Sequence, residues 1–510
     1  MPAPRVAAPT LARLGLSNAQ SMIAVAAVTV FVVVATASIE TTSLVLETAR
    51  RAVVLHLGGL FVLVANVAVG SVVLLACVPR ANVRLGPPGA KPDFGAVSWF
   101  AMLFSAGLAS GLLYWATAEP ILHLQSNPFV SGDAVGGSDE AVRAALRLTV
   151  LHWGLHGWAL YVLAALAIAI YSYRHGQPLA VRTALHPLLG ARRLAGWPGR
   201  VIDLVALFGT VCGVATSIGL SASSMNATLH ALFGTRVSTA HQVAIIFGVC
   251  ALGTASAISG LSRGVRRLSE LNVWSSAVLV VAVFAWGPTA YLGEQIARTL
   301  LDYALHAIPN GLWLARTPEE RLWQGDWTIF YWAWWLAWMP FVSLFIARIS
   351  RGRTLREFAI AVLLVPTLVT LVWMCVFGGA AIAREQAAPG GLSAVVAADY
   401  SLGLVEVLEG LGSPFVAGAL TALACVLLFT WLVTSIDSAT LMIGRLLESP
   451  EAPAPRVFWG LALSAVSSVL VLAGGLEALQ AASIVVGVPL ALLVLGVAVG
   501  LLRDGVRRQL

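Results

Sequence analysis

The stretch Trp327-Thr328-Ile329-Phe330-Tyr331-Trp332-Ala333-Trp334-Trp335-Leu336-Ala337-Trp338 runs on to Ala347 without a charged residue. About 20 such residues cross a bilayer as a helix. Reading outward from it, similar apolar runs lie near 20–39, 52–78, 97–121, 146–172, 201–228, 238–258 and 269–292. Beyond it they lie near 358–382, 414–443, 456–474 and 480–502. With 326–347 itself, the sequence predicts twelve membrane-spanning helices, an all-α polytopic membrane protein.

Composition agrees. The 510 residues are 59% hydrophobic and 11% charged, and the mean hydropathy is +0.87. A soluble domain carries about 25% charged residues. A soluble enzyme and a disordered chain are both excluded. The five cysteines fall in apolar runs without paired spacing, so neither a disulfide frame nor a zinc site is expected. The first run, near Ser21, lacks a clear cleavage site and reads as a retained first span.

The charges orient the spans. With both termini cytoplasmic, 22 of the 31 Lys and Arg residues fall on the inner side. Arg50, Arg51, Arg143, Arg147, Arg236, Arg298, Arg316, Arg321 and Arg384 fall outside, with acidic residues such as Asp133, Glu319 and Asp326. This is the positive-inside asymmetry, and an error of one span would scramble it. It also explains the net charge of +7 without nucleic acid. Two outer segments, Ser138–Arg147 and Glu294–Ala307, read as helices lying on the membrane or over a pore.

Four segments carry chemistry. In the third span, Phe104-Ser105-Ala106-Gly107-Leu108-Ala109-Ser110-Gly111 fits either close helix packing or an unwound stretch with free carbonyls. In the fourth, Trp153, Tyr161 and Trp158 lie at about 0°, 80° and 140° around the helix and share a face. That face suits an interfacial belt or a binding pocket. His152 and His156, one turn apart, lack a third ligand and make a poor metal site. In the eighth span, five tryptophans stand within twelve residues, with Trp334, Trp338 and Trp335 inside an arc of about 100°. A belt needs one or two at a helix end. Stacked aromatic faces with no nearby carboxylate suit a quaternary cation held by cation–π attraction. In the tenth, Thr434, Ser435 and Asp437 put oxygens in mid-membrane, as ligands for a small hard cation or as helix–helix hydrogen bonds. Glu119 and Asp203 lie nearer span ends and carry less information. No Walker loop, HExxH or GxSxG is present, so no enzyme is expected. A membrane-embedded sensor is the remote rival.

These segments resemble the betaine/choline/carnitine transporters. The matching stretches are FSAGLASGLLYWATAEPILH (104–123), HWGLHGWALYVLAALAIAIYSYR (152–174), FGTVCGVATSIGL (208–220), SGLSRGVRRLSELN (259–272), FYWAWWLAWMPFVSLFIARISRGRTLREF (330–358) and TSIDS (434–438). The resemblance implies a LeuT-type fold: two accessory helices (20–96), a first five-helix inverted repeat (97–292, spans 3–7), an outer connecting helix (293–325) and a second repeat (326–502, spans 8–12). Residues 1–19 and 503–510 would be short cytoplasmic ends. It implies sodium-coupled uptake of betaines, choline, carnitine or sulfonium analogues, by alternating access, by a homotrimer in the inner membrane. No covalent cofactor is implied, only Na+ as coupling ion. The aromatic box would fall on Trp153, Trp158, Tyr161 and Trp335, and a path set on Trp334 and Trp338. A substrate carboxylate would meet amides from Ala109 to Gly111. The sodium site would use backbone at Ser105 and Leu108 with the hydroxyls of Thr434 and Ser435. Of a second sodium site only Thr210 is kept, with Val214 one turn on. The glycine stretch departs from the family pattern at Ala109. Proton coupling and substrate/product antiport are the alternatives within this class.

Overall fold

The computed structural model describes residues 16, 18–87, 89–107, 111–130, 137–259, 262–449 and 452–506. Among them there is no strand beyond an isolated bridge between Arg84 and Thr354. The described residues form a bundle of long helices, eleven of which are long and apolar enough to cross a membrane. The third expected span is described only as two stretches of helix, neither of them among the eleven. One is Ala96–Gly107 and the other Gly111–Gln125. Residues 108–110, between them, lie outside the described residues.

Span ends fall within a few residues of the sequence reading in most cases. The second is the exception: it starts at Ile39 instead of residue 52 and runs to Cys77. At 1.5 Å per residue its 39 residues reach about 58 Å, well beyond a hydrocarbon core of about 30 Å. Arg50 and Glu47 on this extension pair with each other at 2.7 Å, and Arg50 also reaches Asp326 at 2.5 Å. These pairs carry the helix out past its apolar part.

The segment 138–147 is not a helix of its own. It forms the first turns of helix Asp139–Trp153, capped by the Ser138 hydroxyl on the Ala141 amide at 3.2 Å. Ala141, Ala144, Ala145 and Leu148 are buried while Arg143 faces out. Its amphipathic pattern arises because one face packs on Gly111–Gln125 and on the outer helix Thr289–Gly311. The second outer segment does form a separate helix, Thr289–Gly311, which is not among the spanning helices. Two short helices, Gly391–Ala398 and Leu402–Glu409, cover the link between the ninth and tenth spans.

Burial separates central from peripheral spans. In the fourth (Asp139–Tyr173) and eighth (Pro318–Ile349) spans, 94% of the most apolar stretch is inside the protein, against 28% for the first and seventh. The tryptophan-rich helix is therefore shielded from lipid. It packs against Leu155–Tyr173, Trp197–Phe233 and Leu476–Val506. Lipid tails are as apolar as side chains, so close packing must replace the hydrophobic drive, and small residues permit it. Gly157 and Gly111 do so here. A Cβ on Gly157 would meet the Trp335 ring at 2.3 Å, and one on Gly111 the Trp334 ring at 2.4 Å.

Candidate functional site

The fourth span is interrupted at the site. Helix Asp139–Trp153 ends at Gly154 (φ −102°, ψ −133°) and Leu155–Tyr173 begins anew. A Cβ on Gly154 would meet both the Tyr303 hydroxyl and the Val150 carbonyl at 2.6 Å. The Leu155 amide at the new helix start donates to that hydroxyl at 2.9 Å. Tyr303 stands on the outer helix, where burial pushes its phenol above the usual range. The break sets Trp153 at the end of one helix segment and Trp158 and Tyr161 in the first turns of the next. The sequence showed two glycines here, Gly154 and Gly157, without showing which one breaks the helix.

The break brings the expected aromatic residues together. Ring centroids lie 4.8 Å apart for Tyr161 and Trp335, 5.6 Å for Trp158 and Trp335, and 5.8 Å for Trp158 and Tyr161. Trp153 stands edge-on to Trp335 at 6.3 Å and to Trp334 at 5.8 Å. The indole N–H groups of the eighth span are used in positioning. Trp335 donates to the His152 carbonyl at 3.0 Å, Trp334 to that of Gly213 at 3.3 Å, and Trp338 to the Ser217 hydroxyl at 3.1 Å. With the N–H groups turned to protein, ring faces and edges are left for the cavity.

That cavity measures about 300 Å³. Trp153, Tyr161, Trp334, Trp335 and Trp338 line one part of it, and no carboxylate lines it among the described residues. Trp158 packs behind Tyr161 and Trp335 and does not reach the cavity wall. The remaining wall comes from two stripes. Phe341, Phe345 and Arg348 continue the face of Trp338 along the eighth span, and Thr434, Ser435, Ser438, Met442 and Arg445 follow the tenth. Both stripes repeat every three to four residues, a helical spacing that the sequence carries on from Trp338 and Thr434.

The Thr434 hydroxyl donates toward the carbonyls of Trp431 at 2.9 Å and Thr430 at 3.1 Å, which leaves its lone pairs for a cation. Ser435 has no hydrogen-bond partner among the described residues and lies in the cavity wall. Oxygen donors of this kind fit a hard monovalent cation. Ser105 lies in helix Ala96–Gly107, its side chain outside the described residues, as are Leu108 and Ala109 entirely. Gly111 opens the second half of that span against Trp334. Thr210 is fully buried, donates to the Ala206 carbonyl at 2.8 Å, and is not part of the cavity wall.

His152 and His156 do not face one another's partners. His156 stacks on Trp332 at 5.2 Å and lies 3.3 Å from the Asn66 side chain. His152 joins a different group, with Glu119 and His123, whose candidate ligand atoms all lie within 4.8 Å. Glu119 and Asp203 were read as near-end residues of little weight, and the structure corrects this. Both are buried, Glu119 at the hub of that group and Asp203 against Arg182 at 2.9 Å. Side chains of the fourth and eighth spans enclose Glu119 and Arg182 pairs with Asp203, contacts that a hydropathy window does not register.

A second cavity, about 500 Å³, is lined by Arg50, Tyr114, Trp115, Asp326, Asp399 and Tyr400 among others. Ring contacts run from its wall to that of the first: Trp115 to Tyr331 at 5.6 Å, then Tyr331 to Trp153 at 5.3 Å.

Known proteins carry the same sequence pattern. The family model described as betaine/carnitine/choline family transporter matches residues 20–509. The chain is 39% identical over 449 residues to glycine betaine transporter 1 of Vibrio parahaemolyticus, covering 87% of this chain and 84% of that protein. It is 38% identical over 444 residues to the glycine betaine transporter OpuD of Bacillus subtilis, covering 86% and 84%. A glycine betaine/proline/choline/ectoine transporter of Vibrio parahaemolyticus is 38% identical over 439 residues, covering 85% and 76%. The chain is a member of the betaine/carnitine/choline transporter family.

Proposed function

We propose that this protein takes up a trimethylammonium compound, glycine betaine or a close analogue such as choline or carnitine, by sodium-coupled alternating access. The observation that carries this reading is the tryptophan and tyrosine wall of a cavity that no carboxylate lines among the described residues. A primary ammonium needs hydrogen-bond acceptors, whereas a methylated cation offers no N–H and gains from π faces. The names of the relatives support a betaine substrate.

Two cavities with an aromatic layer linking their walls support alternating access. The first cavity includes Arg348 and Arg445, which charge alternation assigns to the cytoplasmic side. In this reading the structure is open inward, and the second cavity is the outer vestibule. The halves 97–292 and 326–502 would be the inverted repeats that rock against each other. Thr434 and Ser435 would hold one sodium ion, whose inward gradient supplies the drive. Thr210, bonded within its own helix with Val214 one turn on, favours one ion per cycle over two. Ion and substrate stabilise the same conformation, so each raises the affinity for the other.

The test is uptake of labelled glycine betaine into proteoliposomes, with choline and carnitine as competitors, under a sodium gradient or with potassium in its place. Uptake that requires sodium and is lost in Trp335→Leu is expected. Equal uptake in potassium overturns the sodium assignment, and full uptake by Trp335→Leu removes the aromatic box.

A further inference from the structure

The mechanism above leaves unused the most deeply buried acid among the described residues. Glu119, on Gly111–Gln125, is fully buried and lines neither cavity. An ionisable side chain at such depth is costly unless fully bonded, and it usually serves function. Here both oxygens are engaged. Oε1 meets His152 Nδ1 at 2.6 Å and His123 Nε2 at 3.3 Å. Oε2 accepts from the Trp153 indole at 2.9 Å and from the Tyr331 hydroxyl at 2.6 Å.

The three clustered ligand atoms suggest a metal, but the bonding opposes it. His152 uses its other nitrogen on Thr328 at 3.1 Å, and both carboxylate oxygens hold Trp153, Tyr331 or histidine. Only Nδ1 of His123 stands free. A bound ion would have to break most of these bonds in a site with no exposed atom. The arrangement is that of an acceptor hub joining the third, fourth and eighth spans.

We infer that Glu119 is a positioning residue of the transport site, acting on substrate through Trp153. An indole N–H can only donate, so the carboxylate fixes which edge of Trp153 turns inward and which turns to the cavity. Trp153 sits just before the Gly154 break, where the helix alone does not hold it. A charge-assisted bond is about twice as strong as a neutral one. Donation to an anion also enriches the ring that meets the cation. Tyr331, on the same oxygen and stacked on His152 at 5.0 Å, backs Trp153 from the other side.

This rests on the transport reading, and a mutant cycle separates the two. The full chain in proteoliposomes is compared as wild type, Glu119→Gln, Trp153→Phe and the double variant, reading KM and Vmax for glycine betaine. Glutamine keeps the size but turns an N–H₂ toward donors. The expected result is a KM raised about tenfold or more by Glu119→Gln, the scale of a lost buried charged bond, with Vmax within about threefold. The double variant should be no worse than Trp153→Phe alone, because the N–H through which Glu119 acts is already gone. A KM within about twofold of wild type for Glu119→Gln, or effects that multiply, overturns the inference alone. If Glu119→Gln does not reach the membrane folded, Tyr331→Phe carries the same cycle, and additive effects there overturn it equally. A wild type that moves no betaine, choline or carnitine overturns the transport reading and this inference with it.

Discussion

Trp335 occupies the space that a side chain on residue 157 would need, its ring lying 2.3 Å from a Cβ built on Gly157. The ring is fixed by its bond to the His152 carbonyl and by Tyr161, so it has little room to yield. The aromatic wall thus depends on an absent side chain in the fourth span.

Gly157→Leu should therefore lower betaine uptake at least tenfold by displacing Trp335, with the protein still inserted. Gly418→Ala is the control: nothing lies within 4 Å of a Cβ there, and uptake should equal that of the wild type. Equal uptake by both variants would mean that Trp335 has no fixed role.

Removing the two hydroxyls tests the ion. In Thr434→Val with Ser435→Ala, the sodium concentration for half-maximal uptake should rise about tenfold or more, with protein yield unchanged. Sodium titration of initial rates measures it. An unaltered half-saturation moves the ion elsewhere.

Gly352 joins the eighth and ninth spans at φ +82°, where a Cβ would meet the Lys91 carbonyl oxygen at 2.1 Å. Its amide donates to the Leu85 carbonyl at 2.8 Å. The neighbouring Arg353 lies 4.6 Å over Trp99 of helix Ala96–Gly107. Gly352→Ala should cost about 2 kcal/mol from the left-handed backbone and more from the clash. A lowered unfolding temperature in detergent checks this, and an unchanged one would remove the strain argument.

Cys77 is the exposed cysteine, at the end of the second span. The charge asymmetry would put that end in the cytoplasm. In a variant keeping only Cys77, a membrane-impermeant maleimide should label inside-out vesicles and spare right-side-out ones. The reverse pattern would invert the topology.

Much of the fold was legible because hydropathy is a local property. A run such as 358–382 announces its helix whatever its neighbours do, and it appears as Leu355–Ala387. The segment 138–147 did not show its place for the complementary reason: its apolar face is covered by the preceding helix Gly111–Gln125 and by Thr289–Gly311, more than 140 residues further on. Within the site, Trp153, Tyr161, Trp334, Trp335 and Trp338 were legible from helical spacing, since residues on one arc of a helix share a neighbour. Trp158 shares that arc and still misses the cavity, because Tyr161 and Trp335 stand in front of it.

The sequence by itself determined that the chain is an all-helical protein with many spans, where most of those spans lie, and which helices carry the aromatic rings. Each follows from periodicity and composition within a single segment. Only the tertiary structure decided that the fourth span breaks at Gly154, that Glu119 gathers Trp153, Tyr331 and two histidines, and that Arg348 and Arg445 share a cavity with the rings. Those facts depend on which helices meet. In a membrane that is set by the fit of glycines against indoles and by buried polar partners, which residues distant in sequence supply to one another.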